Sequence, residues 1–437
     1  AGQPGWHGDR LFVVLRGQPD LTGLPTGTGP GARAGRVRAV YERLVGHAAA
    51  SQADLRRDLD RWGLAHRPYY LVNAVEVRGG PAVRAWLARR ADVDRVLDSQ
   101  RLRPLPAPPR PERGSTDRPA GVPWNLTLIG ADRVWTQLGV TGAGITVGSA
   151  DSGVDGAHPA LAAGFRGGDD SWHDPWNGTG TPTDRHGHGT HTLATAVGER
   201  VGVAPGAEWA GCVNLDRNLG NPASYLDCLQ FLLAPFPPGG DPFRDGRPER
   251  APHVLTNSWG CPPLEGCDLD VLRPATAAFT AAGVFFVAAA GNTGPSCGSV
   301  TDPPAPYADA LTVGAVDRKR AVTGFSSRGP AAGGAAKPDL LAPGAEVLSA
   351  LPGGGYGPQD GTSMAAPHVA GVAALMWSAN PALIGDVART RRLLTQTARP
   401  VVPPPGSARC ADPVHVTGAG LVDAYGAVRA AQAEGAG

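Results

Sequence analysis

Hydrophobic and polar positions divide this chain into two patterned stretches with a proline-rich gap between them. Leu11-Phe12-Val13-Val14-Leu15 is a short apolar run and predicts a buried strand. A Gly- and Pro-rich break over 17–35 precedes predicted helices at about 36–46 and 51–62. In the second of these, Leu55, Leu59 and Trp62 share one face at helical spacing. Residues 69–77 alternate like a half-buried strand, Pro81 opens a helix that ends near Ala88, and 93–97 reads as a last strand. Residues 1–103 thus predict a small α+β unit of ferredoxin-like layout, β-α-β-α-β. Residues 104–121 hold six prolines, bury little and read as an exposed linker. From 122 to 437, apolar strands at 145–150, 254–257, 284–290 and 311–316 are interleaved with helices near 190–198, 222–233, 269–282, 363–378, 384–397 and 420–433. Such alternation predicts an α/β domain, a parallel sheet with helices on both faces.

With 437 residues, 42% of them apolar, the chain is long enough for one large domain beside the small one. Gly (62) and Pro (43) are abundant but follow no period, so they mark loops of a globular protein. A net charge of +1 gives no ground for a nucleic-acid partner, and no apolar run is long enough to predict a transmembrane helix. The charge is nevertheless uneven: residues 1–120 hold 20 Arg against 12 acids, a net +8, and the remainder has a net −7. Stretches of opposite sign attract. Arginine outnumbers lysine 38 to 2, so compositional drift accounts for the imbalance equally well. The chain opens on Ala1-Gly2-Gln3 without a leader, so any secretory signal is expected to have been removed. All six cysteines lie after residue 200, and none has zinc-ligand spacing. Disulfides in an exported protein are expected; Cys261 and Cys267 close a short loop, and 212–228 with 297–410 is one of the pairings left open.

Three segments carry groups suited to nucleophilic chemistry. A strand ends at Asp151 in Asp151-Ser152-Gly153, where parallel sheets gather functional side chains. His188 sits between glycines ahead of a helix, in Asp184-Arg185-His186-Gly187-His188-Gly189-Thr190-His191. Three nearby histidines raise the thought of metal, but no HExxH or carboxylate spacing supports one, and no catalytic metal is expected. Ser363 opens an Ala-rich helix in Gly361-Thr362-Ser363-Met364-Ala365-Ala366-Pro367. A hydroxyl is a poor nucleophile without a base, and the base needs a partner to fix its tautomer. Each segment alone fits a turn or an ordinary helix cap; together they predict a relay of Asp151, His188 and Ser363. Asn292, after the strand at 284–290, would hold an oxyanion with the Ser363 N–H.

These blocks, with Asn257-Ser258-Trp259-Gly260 and Ala290-Gly291-Asn292, resemble the catalytic domain of the subtilases, the subtilisin-like serine proteases, over about 122–430. Within that family, Trp172-His173-Asp174-Pro175 and Val203-Ala204-Pro205-Gly206-Ala207 are similar to bacillopeptidase F-like enzymes. Ser152, where Thr is commoner, and Leu193-Ala194, where Ala-Gly is, depart from the pattern. The resemblance implies a secreted, monomeric serine endopeptidase acting on polypeptides without a catalytic cofactor; structural calcium is left open, with Asp169, Asp170 and Asp174 clustered in one loop. It implies that Ser258, Trp259 and Gly260 pair with an extended substrate, and that Ala289, Ala290 and Gly291 form the opposite wall of the pocket for the residue before the scissile bond. Asp302 falls near the pocket floor, where a carboxylate favours Arg or Lys, unless it only shapes the loop before Pro303. Residues 1–103 are similar to an inhibitory propeptide, with Arg103, Arg110, Arg113 and Arg118 as candidate processing sites. Two rivals remain: a protease of narrow specificity maturing one partner or peptide leader, and an inactive binding protein locked by its propeptide.

Overall fold

The computed structural model describes residues 9–100, 114, 117–216, 219–404, 410 and 412–434. The N-terminal unit runs β1 (Arg10–Leu15), α1 (Pro30–Ser51), α2 (Ala53–Arg61), β2 (His66–Tyr69), β3 (Ala74–Arg78), α3 (Pro81–Leu87) and β4 (Val93–Asp98). Its antiparallel sheet has the order β2-β3-β1-β4, so the layout is ferredoxin-like. The single strand expected over 69–77 is in fact a hairpin. Tyr70, Leu71 and Val72 belong to its turn, yet are fully buried. Gln230 Oε1 accepts from the Tyr70 and Leu71 N–H groups at 2.6 and 3.2 Å. An apolar turn that docks onto a neighbouring domain leaves the same hydrophobic run in the sequence as a strand.

The large domain contains α4 (Trp124–Ile129), α5 (Ala131–Leu138), β5 (Thr146–Asp151), β6 (Trp172–His173), α6 (His188–Val197), β7 (Glu208–Val213), α7 (Pro222–Leu233), β8 (Val254–Asn257), α8 (Arg273–Ala282), β9 (Phe285–Ala289), β10 (Leu311–Val316) and β11 (Leu340–Pro343). A hairpin of β12 (Val347–Leu351) and β13 (Gly355–Gln359) leads to α9 (Thr362–Ala379), followed by α10 (Val387–Thr397), α11 (Val414–Thr417) and α12 (Ala424–Glu434). Seven strands form one sheet, β11-β10-β9-β8-β5-β7-β6, with parallel pairing throughout. Alternate residues serve opposite layers: Phe285 and Val287 join the core under α6, α9 and α12, while Phe286 and Ala288 join the one under α7 and α8. Strand order reverses at β5, which lies between β7 and β8, and the crevice there opens at the carboxyl end of the sheet.

The core under α7 and α8 is shared with the N-terminal unit, whose Phe12, Val37, Val40, Tyr41 and Tyr70 lie in it. Buried Arg33 donates to the carbonyls of Ala251, Pro252 and Gly283, and Arg36 to those of Thr280 and Gly385. Arg67–Asp227 and Arg38–Glu249 at 2.8 Å, together with Arg95–Asp268 and Arg118–Glu199, all join an arginine of residues 1–120 to an acid beyond them. The charge imbalance therefore has a structural counterpart. Three disulfides form, Cys212–Cys228, Cys261–Cys267 and Cys297–Cys410.

Candidate active site

Asp151 is the last residue of β5 and is buried. Its Oδ1 accepts from the Ser152 N–H at 2.6 Å and lies 2.7 Å from His188 Nδ1; Oδ2 accepts from Thr192 Oγ1 at 3.4 Å. Burial alone would lower the His188 pKa. The Asp151 charge and hydrogen bond, with Asp184 behind them, outweigh it and hold the imidazole above its usual value.

His188 is the first residue of α6. The turn before it is fastened by Asp184, a residue without an assigned role in the sequence reading. Its Oδ1 accepts from the His186 and Gly187 N–H groups at 2.9 and 2.8 Å and from Ser152 Oγ at 3.1 Å; its Oδ2 accepts from Thr190 N and Oγ1 at 3.0 and 2.6 Å. Ser152 Oγ also accepts from the Gly189 N–H at 2.9 Å, so the departure at Ser152 keeps a hydroxyl that ties the aspartate turn to the histidine helix. The legible signal for Asp184 was an Asx-type turn ahead of a helix start.

A side chain at Gly189 would put its Cβ 2.1 Å from the Gly153 carbonyl oxygen and 3.0 Å from Asp151 Cβ. Gly189→Ala must therefore spread Asp151 from His188. We expect kcat/KM for a peptide substrate to fall on the order of 100-fold, the cost of about 1 Å of misplacement. Steady-state kinetics on a variant with wild-type circular dichroism checks this.

Ser363 is the second residue of α9. Pro367, inside that helix, has no N–H to give to the Ser363 carbonyl four residues back. Ser258 Oγ replaces it, donating to Ser363 O at 2.7 Å. In return Ser363 Oγ donates to the Ser258 carbonyl at 3.2 Å. The expected hydrogen bond from Ser363 to His188 is thus not formed; the hydroxyl is turned to the backbone that follows β8. His188 and Met364 nevertheless line one cleft, with Glu346, Pro358, Gln359 and Asp360.

Asn292 Oδ1 accepts from Thr362 N at 2.9 Å and Thr362 Oγ1 at 3.0 Å, which leaves Nδ2 as the end offered to the pocket. A Cβ built on Gly361 would lie 3.6 Å from Asn292 Nδ2 and 3.5 Å from Ser363 N, so both donors border one small space. The adjoining cavity, about 240 Å³, is walled by Ser258, Trp259 and Gly260 on one side and Ala289, Ala290 and Gly291 on the other. These segments follow or end the neighbouring strands β8 and β9. The Trp259 ring is buried and stacks on Tyr225 at 4.2 Å, so it backs the wall. Asp302 lines the same cavity, its Cβ 2.9 Å from where a Gly260 Cβ would stand. Glu265 lines it too, a residue the sequence reading passed over.

Other groups have structural work. His191 Nε2 faces the carbonyls of Val347 and Gly357, and His368 bonds Met364 O and Asn125. Burial lowers them to about 3 and about 4, so both are neutral. Asp169 and Asp170 are paired with Arg247, and Asp170 also with Arg250; Asp174 accepts from Trp176 N, Asn177 N and Thr179. Those carboxylates have protein partners. No cluster of three or more His, Cys, Asp or Glu suited to a metal occurs among the described residues.

A carboxylate and an imidazole brought together at the crevice of a doubly wound parallel sheet, with a serine at a helix start and an amide beside it, define a subtilisin-like α/β protein. Residues 142–428 match the family model described as the subtilase family, and the chain belongs to that family. It is 35% identical over 390 residues to bacillopeptidase F of Bacillus subtilis, covering 83% of this chain and 26% of that protein. It is 35% identical to M-protease of Shouchella clausii, covering 60% of each chain, and 33% identical to subtilisin Savinase of Lederbergia lenta, covering 70% of this chain and 99% of that one. The chain thus spans about a quarter of bacillopeptidase F and 60% of M-protease.

Proposed function

We propose that the chain is a secreted serine endopeptidase made with its own N-terminal unit as inhibitor. The observation that carries this is the 2.7 Å Asp151–His188 contact, with His188 lining a cleft beside Met364 while Ser363, the residue before Met364, lines a second cavity with Asn292. A substrate strand lies along Ser258-Trp259-Gly260 and places its carbonyl over Ser363. Hydroxyl contacts of this kind tighten only once substrate is bound. Ser363 Oγ then leaves Ser258 O, passes its proton to His188 Nε2 and attacks the carbonyl carbon. Asn292 Nδ2 and the Ser363 N–H hold the oxyanion. Asp151 stabilises the imidazolium, which protonates the leaving amine, and water completes the cycle through the same base. No step requires a cofactor. Asp302 in the pocket favours a basic residue before the scissile bond, and the disulfides suit an oxidising, extracellular setting.

Two contacts support the inhibitor reading. Where the N-terminal unit ends, a Cβ on Gly266 would lie 1.9 Å from the Asp98 carbonyl oxygen, and Ser99 Oγ bonds Asn221 Oδ1 at 3.4 Å. Gly114 lies against the Tyr356 backbone of β13, the strand whose Pro358 and Gln359 line the His188 cleft. Arg103, Arg110 and Arg113 fall outside the described residues, and Arg118 pairs with Glu199. Mass spectrometry of the purified chain over time tests the proposal. The expected outcome is a cut between residues 103 and 123, absent in Ser363→Ala. An intact, inactive wild-type chain at all times would count against it.

A further inference from the structure

Glu265 has no role in the reaction described above, yet it faces the cavity beside Ser363. Three constraints fix it there. Its Oε2 accepts from the Tyr225 hydroxyl at 2.6 Å, its Oε1 accepts from the Gly220 N–H at 3.1 Å, and its loop is closed by Cys261–Cys267. Tyr225 is itself clamped against Trp259. Asp302, whose Oδ1 accepts from Thr301 Oγ1 at 3.0 Å, lines the same pocket. Among the described residues lining the cavity there is no Lys, Arg or His. Two carboxyl groups therefore share one partly enclosed space without a cation, an arrangement that a positively charged side chain relieves.

We propose that Glu265 and Asp302 together form a two-carboxyl cradle for an arginine side chain before the scissile bond, and that Glu265 makes this preference depend on pH. The proposal rests on the endopeptidase reading. A planar guanidinium has donors enough to meet both acids at once, whereas a lysine ammonium acts as a point charge, so Arg is preferred to Lys. Burial pushes the Glu265 carboxyl up to about 7, against the bonds from Tyr225 and Gly220, and the neighbouring Asp302 adds to the rise. Nearby on the outer side, the Arg95–Asp268 pair joins β4 to the loop beyond Cys267, and Tyr225 presents its hydroxyl from α7. Below neutrality Glu265 is protonated and Asp302 recognises the cation alone. Above it Glu265 ionises and adds its charge to the cradle, so the preference for Arg rises with pH.

The test measures kcat/KM for two peptides that differ only in Arg or Leu before the cleaved bond, from pH 6 to 8.5. The titration of His188 enters both rates and cancels in their ratio. Enzyme concentration is set by fluorophosphonate titration of the full chain after processing. The Arg-to-Leu ratio is expected to rise on the order of tenfold across this range. In Glu265→Gln, which still accepts from Gly220, the ratio should be low and flat. In Asp302→Asn it should be low but still rise. Tyr225→Phe, which removes a bond favouring the anion, should move the midpoint to higher pH. A flat wild-type ratio, or a slope that survives Glu265→Gln, would overturn the inference while leaving the endopeptidase reading intact. Failure of the fluorophosphonate to label the chain would overturn both.

Discussion

Ser363→Ala is expected to lower kcat for peptide hydrolysis by about six orders of magnitude, to the residue of catalysis that binding and the oxyanion donors supply. The size follows from the covalent route. Without Oγ no acyl-enzyme forms, and His188 retains a base with nothing correctly placed to activate. Stability should change little. Ser363 Oγ makes one hydrogen bond, to Ser258 O, and the reciprocal bond from Ser258 Oγ to the Ser363 carbonyl survives in the variant. Kinetics with a chromogenic peptide and a thermal melt separate the two effects. A variant that keeps even a hundredth of wild-type kcat would show that another group is the nucleophile.

Asn292→Ala is the second large effect. It should reduce kcat about 10²- to 10³-fold with KM nearly unchanged, because the Nδ2 donor meets charge that exists only in the transition state. The side chain also orders the start of α9 through Thr362, so part of the loss must be assigned to structure. Thr362→Val separates the parts: it keeps Nδ2 and the Thr362 N–H bond and loses only the hydroxyl contacts to Asn292 and Gly291. Its kcat should stay well above that of Asn292→Ala. Equal losses in the two variants would assign Asn292 to helix positioning alone.

The strands at the centre of the sheet were legible because both faces are buried. In β8, β9 and β10 the apolar run coincides with the strand to within a residue at each end. Less of the sheet's margin could be read. β6 has only two residues, β7 includes polar Glu208 and Gly211, and β11 ends in proline. β6 and β7 present no unbroken apolar run, and that of β11, Leu340-Leu341-Ala342, is only three residues long before its proline. Helix α1 begins at Pro30, inside what the composition gave as a break, because a proline at the first turn is tolerated.

The site divides in the same way. Asp151, His188, Asn292 and Ser363, whose roles are proposals, stand out in the sequence because each lies in a recognisable block: Asp151 ends a strand, His188 and Ser363 open helices, and Asn292 follows the end of β9. Ser258 had a backbone role in the sequence reading; the work of its side chain depends on a missing N–H at Pro367, which only the folded helix reveals. Glu265 carried no local signal. Its place in the pocket depends on Tyr225, 40 residues away, and on a disulfide that turns its loop inward.

The central claim is that Ser363 is activated by His188 and Asp151. Incubation with a fluorophosphonate, followed by digestion and peptide mass spectrometry, tests it most directly. The account predicts one phosphonyl adduct, on Ser363, formed rapidly in the wild type and at least a thousandfold more slowly in a His188→Ala variant. An adduct on another serine, or labelling of Ser363 at the same rate without His188, would contradict it.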